Sequence, residues 1–332
     1  MIWVTWRQHR ASILIGTAII VGLCAFLLVT GTHIWSDFRS SGAAACAAAR
    51  TDTCAGTAGS FNDRYHGYQF LIPLFLLLPA LVGIFWGAPL VARETEHGTH
   101  RLAWTQGVSR RRWLATKIVI LTSITVVTVS LYTWLLAWWS RPFVAVASNR
   151  FDPGIFDLRG IVPIAYAVFA LALGIAAGTF MRRSVPAMGI TLVVYAFVRG
   201  FITLGVRRYF GAAKNLTYPF PLGKVPFSFT VGRDPWTLGS QTIDGTGHVL
   251  ASGVRFDFDI LSTRCPDLVP RGTFPDPDHL TTCVKRIGLR VHETYQPGSH
   301  YWSFQFIESA IFIGLAAVLL MFTVRWLRRR LS

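Results

Sequence analysis

The sequence predicts an all-α membrane protein of six transmembrane helices, with both termini cytoplasmic and a small external subdomain carrying some β structure between helices 5 and 6. Three observations lead there. Of 332 residues, 52% are hydrophobic and 14% charged, against roughly a quarter charged in soluble domains. Apolar runs long enough to cross a hydrocarbon core of about 30 Å as helix recur along the chain. The basic residues gather on alternate connections between those runs. The formal net charge of +16 is therefore no nucleic-acid footprint, which needs basic residues collected on one folded surface.

The apolar runs cover residues 13–30, 70–91, 118–139, 161–181, 185–205 and 304–324. Arg7 and Arg10 precede the first run, as they would in a secretory signal. The run nevertheless exceeds the usual apolar region of about 7–15 residues, and the small-residue stretch at Ala43, Ala44 and Ala45 lies well past its end. Leu23 stands before Cys24 where a lipoprotein signal needs a small residue. The first run is read as a retained anchor.

Arg7 and Arg10, then Arg93, Arg101, Arg110, Arg111, Arg112 and Lys117, then Arg182 and Arg183, then Arg325, Arg328, Arg329 and Arg330 all fall on one face. The positive-inside rule makes that face cytoplasmic. The expected location is the bacterial inner membrane, multi-pass, in contact with the lipid bilayer. The opposite face carries excursions at 33–69, 140–160 and 206–303. This gives a first segment, 1–205, with helices 1–5 and a cytoplasmic loop at 92–117. An external segment follows at 206–303, and 304–332 holds helix 6 with a basic tail.

Four of the five cysteines fall as two pairs in the outer excursions, Cys46 with Cys54 and Cys265 with Cys283. An even count outside and none in the cytoplasmic loops favours disulfides over free thiols. Neither pair has C-x-x-C spacing and no His cluster accompanies them, so no metal site is expected. Within the external segment, residues 255–260 and 286–291 alternate polar and apolar, the pattern of half-buried strands.

Ionisable residues inside spans are costly unless they work or pair, and the runs contain almost none. Arg199 and Glu308 are the exceptions. Arg199 lies about 21 Å up from the cytoplasmic entry of span five, and Glu308 about 6 Å below the outer entry of span six. Against a core of about 30 Å the two share a level, so an intramembrane ion pair between them is expected. No G-x-S-x-G, H-E-x-x-H or intramembrane Asp pair occurs, which argues against an enzyme. His97 and His100 beside Glu94 and Glu96 lack a third firm ligand and read as solvated side chains. No cofactor is implied. No G-x-x-x-x-G-K-[ST] loop exists, so any ATPase that energises the chain is another polypeptide.

The loop at 92–117 is the most informative stretch. Its first part is acidic and its second strongly basic. Binding of anionic headgroups accounts for Arg110, Arg111 and Arg112, but Glu94 and Glu96 would be repelled by the same surface. Arg93, Glu94, Glu96, Gly98, Thr99, Leu102, Ser109, Arg110 and Lys117 fill the places of a pattern that resembles the cytoplasmic loop of ABC type 2 export permeases. Those proteins often have Pro where this chain has Gly107. The aromatic and basic opening, residues 1–10, is similar to the interfacial helix before the first span of such permeases. Residues 294–308 are similar to the lead into the last span of members from high-GC bacteria.

The resemblance implies a permease subunit of an ATP-binding-cassette exporter. Such a subunit docks on a P-loop ATP-binding subunit at the cytoplasmic face and works with a second permease subunit as a homo- or heterodimer. Its implied role is efflux of an amphipathic or hydrophobic substrate. The ATPase-coupling residues it implies are Arg93, Glu94, Glu96, Gly98, Thr99, Arg101, Leu102, Ser109 and Arg110. The alternative is a non-transporting membrane sensor or assembly subunit that uses the external segment. The small-residue motifs Gly83-x-x-x-Gly87 and Gly174-x-x-x-Gly178 suit close helix packing within the subunit better than a dimer seam. Thr122, Ser123, Thr125, Ser130 and Thr133 lie on one side of span three, where hydroxyls ordinarily bond their own helix carbonyls.

Overall fold

A computed structural model describes residues 2–49, 55–96, 110–147, 150–221, 235–255, 258–270 and 276–330. The chain divides into two units. The first comprises Met1–Ala147, Pro153–Arg207 and Trp302–Ser332, and the second Ser148–Asp152 and Arg208–Tyr301.

The first unit begins with α1, Ile2–Ser40. The opening segment expected as a separate interfacial helix is the start of this one unbroken helix. Two short helices follow, α2 (Ala43–Ala49) and α3 (Ala55–Arg64). The second span is assembled from pieces: α4 (Ile72–Leu76), α5 (Leu78–Val82), a π turn at Gly83–Gly87 and α6 (Ala88–Glu96). Pro73 and Pro79 each stand in the first turn of a piece, where a missing N–H is tolerated. Next come α7 (Arg110–Ala147), the single turn α8 (Pro153–Phe156), α9 (Val162–Met181) and α10 (Ser184–Phe201). A π turn, Ile202–Val206, and a 3-10 turn, Arg207–Tyr209, extend α10. Two further helices, α11 (Phe258–Arg264) and α12 (Pro277–Ile287), belong to the second unit. The last helix is α13, Tyr301–Arg330.

Six helical stretches among the described residues are long and apolar enough to cross a membrane: Val21–Ser40, His66–Arg93, Ala115–Val146, Val162–Met181, Ser184–Tyr209 and Gly298–Trp326. The protein is a multi-pass membrane protein. Span four is its centre, with 78% of its apolar window buried against at most 39% for any other span. Its small residues make that possible, since Gly174 and Gly178 let neighbouring backbone approach it closely. The two glycine motifs interlock. A Cβ added at Gly83 would stand 2.5 Å from the Ala170 carbonyl oxygen, and one at Gly87 would stand 2.7 Å from that of Leu171. Gly174 and Gly178 meet the backbone of Gly83 and Ala88 in return. Both motifs serve packing of span two on span four.

Arg182, with φ of 54°, ends α9 in the left-handed region. Arg183 is extended, and α10 starts at Ser184.

The second unit is built on a four-stranded antiparallel sheet of order β1-β4-β2-β3. Its strands are β1 (Lys214–Pro219), β2 (Trp236–Ile243), β3 (Val249–Ser252) and β4 (Arg290–Gln296). Phe220, Leu261, Val269, Val284, Leu289 and Val291 bury a core around the Cys265–Cys283 disulfide. In the β2–β3 turn the Asp244 carboxylate accepts from the Thr246 hydroxyl (2.5 Å) and the N–H groups of Thr246 (2.9 Å) and His248 (3.0 Å). The Thr246 hydroxyl foremost, then the His248 N–H, hold that carboxyl below its ordinary pKa.

The two strands expected here are corrected. Residues 256 and 257 lie outside the described residues, and 258–264 are helix, with Leu261 and Ser262 buried on it and Cys265 buried just past its end. Of residues 286–291, the first two end α12, Gly288 turns left-handed at φ 65°, and the strand begins only at Arg290. Asp276 caps α12 by accepting from the Asp278 N–H, with Pro277 behind it. Asp-Pro at the start and Gly just past the end are helix punctuation, which outweighs a short alternation.

Candidate functional site

Three buried charged side chains, Asp157, Arg207 and Glu308, and the half-buried Arg199 meet where α8, α9, α10 and α13 converge. The π turn in α10 is what assembles them. Two α turns take about 7.2 residues, and a π turn takes about one more. Arg199 and Arg207 thereby return to the same side of the helix, where straight α geometry would leave them roughly 80° apart. Asp157 follows α8, Tyr166 projects from α9, and Gln305 and Glu308 stand one turn apart on α13.

Arg207 is the hub. Its Nε donates to Glu308 Oε2 at 2.8 Å and its Nη2 to Glu308 Oε1 at 2.8 Å. Nη2 also pairs with Asp157 Oδ1 and reaches the Tyr166 hydroxyl at 3.1 Å and the Thr203 hydroxyl at 3.2 Å. Its guanidinium lies 4.3 Å from the centre of the Phe156 ring. Arg199 donates to Asp157 Oδ2 at 2.9 Å and to the Leu76 carbonyl at 3.1 Å, and lies over the Tyr166 ring at 5.0 Å. The Tyr166 hydroxyl, with one proton to give, has two acceptors within reach, Glu308 and, at 3.2 Å, Asp157. One turn earlier on α13, Gln305 accepts from the N–H groups of Ile161 and Val162, both at 3.1 Å, and donates to the Phe156 carbonyl at 3.2 Å. It caps the first turn of α9. Gly160, at φ +75°, leaves the space that this amide fills.

Arg207, Asp157 and Glu308 are 1%, 4% and 0% exposed, so water does not screen them. Two arginines face two carboxylates, and the formal charges cancel. Charges so buried are tolerated only when paired; among the described residues the Nε and Nη2 of Arg207 have partners, while its Nη1 is buried without one. The arrangement is a neutral clasp that ties span five to span six and to the chain entering span four.

This corrects one expectation. Arg199 and Glu308 do belong to one level and one network, but they do not pair with each other. Arg199 takes Asp157, and Glu308 takes Arg207. The closer partners lie just beyond the apolar runs, at positions the sequence assigns to outer excursions. Asp157 and Arg207 escape a reading by apolar runs for that reason, and Tyr166, inside the fourth run, escapes it because it carries no charge. The available signal was Gln305 and Glu308 one turn apart on the same side of α13, two polar groups in an apolar helix that require polar partners.

A narrow cavity of about 10 Å³, the room of about one water, touches Tyr132, Thr133, Asp157, Tyr166 and Arg199. The Thr125 and Thr133 hydroxyls are buried with no hydrogen-bond partner, so the expected bonding to their own helix is not made at these two positions.

Of the loop residues, Arg93 is exposed on α6, which also carries Glu94. Glu96 ends α6, and its carboxylate accepts from the Ser184 N–H at 3.2 Å and the Ser184 hydroxyl at 3.1 Å. It satisfies one of the free backbone donors that open α10 and stitches the end of span two to the turn between spans four and five. Arg110 is the first residue of α7. Gly98, Thr99, Arg101, Leu102 and Ser109 lie outside the described residues. So does Cys54, whose expected partner Cys46 is on α2. Cys265 and Cys283 are joined, with Cα atoms 5.9 Å apart.

Among known proteins, a family model described as ABC-2 membrane transporter related matches residues 17–207, more than half of the chain. No curated protein and no solved structure matches.

Proposed function

Since the chain belongs to the ABC-2 membrane transporter related family, and is thereby a permease component of an ABC transporter, we propose that it is an export permease driven by a separate P-loop ATPase. Its cargo is an amphipathic or hydrophobic compound leaving the cytoplasm, and its working form is a dimer of permease subunits in a bacterial inner membrane with both termini cytoplasmic. The spans lean towards such a cargo because they carry so few charges.

The observation that carries the coupling reading is the Glu96–Ser184 stitch. A push delivered to the loop after α6 reaches the start of span five through it, and span five is clasped to span six by Arg207. A rigid path from loop to clasp is what nucleotide-driven reorientation of packed helices requires. Glu94, Glu96, Arg101 and Arg110 contact the ATPase in this reading, and Arg93, Gly98, Thr99, Leu102 and Ser109 belong to the same coupling loop.

The test is reconstitution with the cognate ATPase in nanodiscs. Glu94→Ala with Glu96→Ala leaves membrane insertion intact and abolishes co-purification with the ATPase or substrate-stimulated ATP hydrolysis. Unchanged co-purification and hydrolysis would sink the assignment. The folded second unit, with its disulfide, keeps a sensor or assembly subunit as the second reading. That reading requires full activity of the complex without any transported compound.

A further inference from the structure

We infer that the groove between the C-terminal part of α1 and the matching level of α7 holds one anionic glycerophospholipid as a resident lipid, separate from any cargo. The groove has a volume of about 720 Å³, and its lining includes Trp35, Ser36, Arg39, Ser40, Trp138 and Arg141.

The two helices run side by side in the same direction here. Gly31 lets them close, since a Cβ at that position would enter the Trp138 ring. Trp35 stacks on Trp138 with ring centres 6.5 Å apart, and its Nε1 donates to the Trp138 carbonyl at 3.2 Å. The Trp139 Nε1 donates to the Thr30 hydroxyl at 2.9 Å. The walls are therefore fixed before any ligand arrives.

At the mouth stand two exposed arginines. The Arg39 guanidinium lies 5.6 Å from the Trp35 ring centre. Asp37, two positions before Arg39, is engaged by Arg64 at 2.8 Å and by the Tyr65 hydroxyl at 2.8 Å. Among the described residues neither Arg39 nor Arg141 has an ion-pair partner. Arg39 also serves the carbonyl-rich end of α1. Arg141, inside α7, has no such duty.

A second observation identifies the ligand as a lipid rather than a soluble anion. Behind Arg141, at helical spacings of three and four, follow Trp138, Trp134 and Leu131, the last two 71% and 64% exposed. Behind Arg39 and Ser36 on α1 come Thr32 and Val29, the latter 62% exposed. Each helix thus presents a stripe that is cationic at the end and apolar inward. The mouth suits a phosphodiester and the stripe an acyl chain, at the level where Trp and Arg ordinarily meet headgroups. In the orientation proposed above, on which this inference rests, that is the outer leaflet. A zwitterionic headgroup would bring its own cation against the two arginines.

The experiment uses the full chain in phosphatidylcholine nanodiscs titrated with phosphatidylglycerol, with native mass spectrometry counting retained lipid. Wild-type protein retains one phosphatidylglycerol per chain when phosphatidylcholine is not retained, and inorganic phosphate does not displace it. Arg39→Gln with Arg141→Gln lowers retention by about tenfold or more, and Arg39→Lys with Arg141→Lys keeps most of it. Trp134→Ser, which leaves both charges in place, also weakens retention and guards against a misfolded double variant. Equal retention of both lipids, undiminished retention by the glutamine pair, or displacement by inorganic phosphate alone would overturn the inference. So would a Ser36→Cys cross-link between two chains in native membranes, which would give the groove to a second copy. The permease reading fails separately, through loss of ATPase dependence with lipid retention unchanged.

Discussion

Replacing Arg207 by Gln removes the one cation that touches both carboxylates of the clasp. Glu308, at 0% exposed, then keeps only the Tyr166 hydroxyl, while Asp157 keeps Arg199. Breaking a buried pair from one side costs about 3–5 kcal/mol, because the abandoned charge stays out of water. On the usual scale for a chain of this size that lowers Tm by on the order of 10 °C. Arg199→Gln costs less. Its side chain is 15% exposed, and its carboxylate partner still holds Arg207. Combining Arg207→Gln with Glu308→Gln removes one charge of each sign, so the double variant should recover about 0.5–3 kcal/mol relative to the sum of the singles. Arg199→Gln with Glu308→Gln should recover less, since those two residues do not touch. Thermal unfolding in nanodiscs, followed by tryptophan fluorescence, reads all of these variants. A shift below about 2 °C for Arg207→Gln, or strict additivity of the Arg207 and Glu308 losses, refutes the clasp.

Four further outcomes follow from other parts of the molecule. Protein isolated without reductant should yield a linked Cys265–Cys283 peptide in mass spectrometry, together with a Cys46–Cys54 peptide, whereas four alkylatable thiols contradict both. Serine at Cys265 and Cys283 should weaken the second unit by about 3 kcal/mol in the chain-entropy account, seen as faster limited proteolysis. Because the native Asp244 carboxyl titrates below its ordinary value near 4, its contribution to stability is present above that pH and is lost as pH falls through the native value. Asp244→Asn should then lower second-unit stability at neutral pH and show no deficit in strong acid, and a deficit that persists in acid counts against the turn. Gly174→Ala should depress Tm sharply, since the new methyl meets the Ala88 nitrogen at 2.7 Å. Gly189→Ala, which meets nothing within 4 Å, should be neutral or gain up to about 1 kcal/mol. Equal effects at the two positions would separate the glycine motifs from packing.

The membrane architecture was legible because an apolar run has one solution in lipid, a helix that satisfies its own backbone. The second unit was less so. The alternation at 255–260 is as compatible with one face of a short helix as with a strand, and 258–264 form a helix with Leu261 and Ser262 buried on it. The Asp276-Pro277 and Gly288 punctuation of α12 was there to be read and was outweighed by a pattern of six residues.

The clasp was half legible for a sharper reason. Two charges inside spans had to have partners, and that inference located Arg199 and Glu308. Choosing partners by apolar-run boundaries then failed, because a hydropathy boundary marks where the chain could meet water and not where it does. Arg207 lies past the run that ends at Gly205, yet it is 1% exposed, since the π turn before it rotates it inward onto α13. A π turn leaves little mark in composition. What marks it is the pair of arginines itself, eight positions apart and so on different faces of a regular helix, with two acids nearby that need both. Where a membrane helix places like charges about two α turns plus one residue apart, opposite a carboxylate pair, a widened turn between them is the economical reading. Deleting one residue from the Ile202–Val206 turn tests it: if a regular α turn forms, Arg207 swings towards lipid and the clasp opens, whereas retained stability would show that the turn does not set its direction.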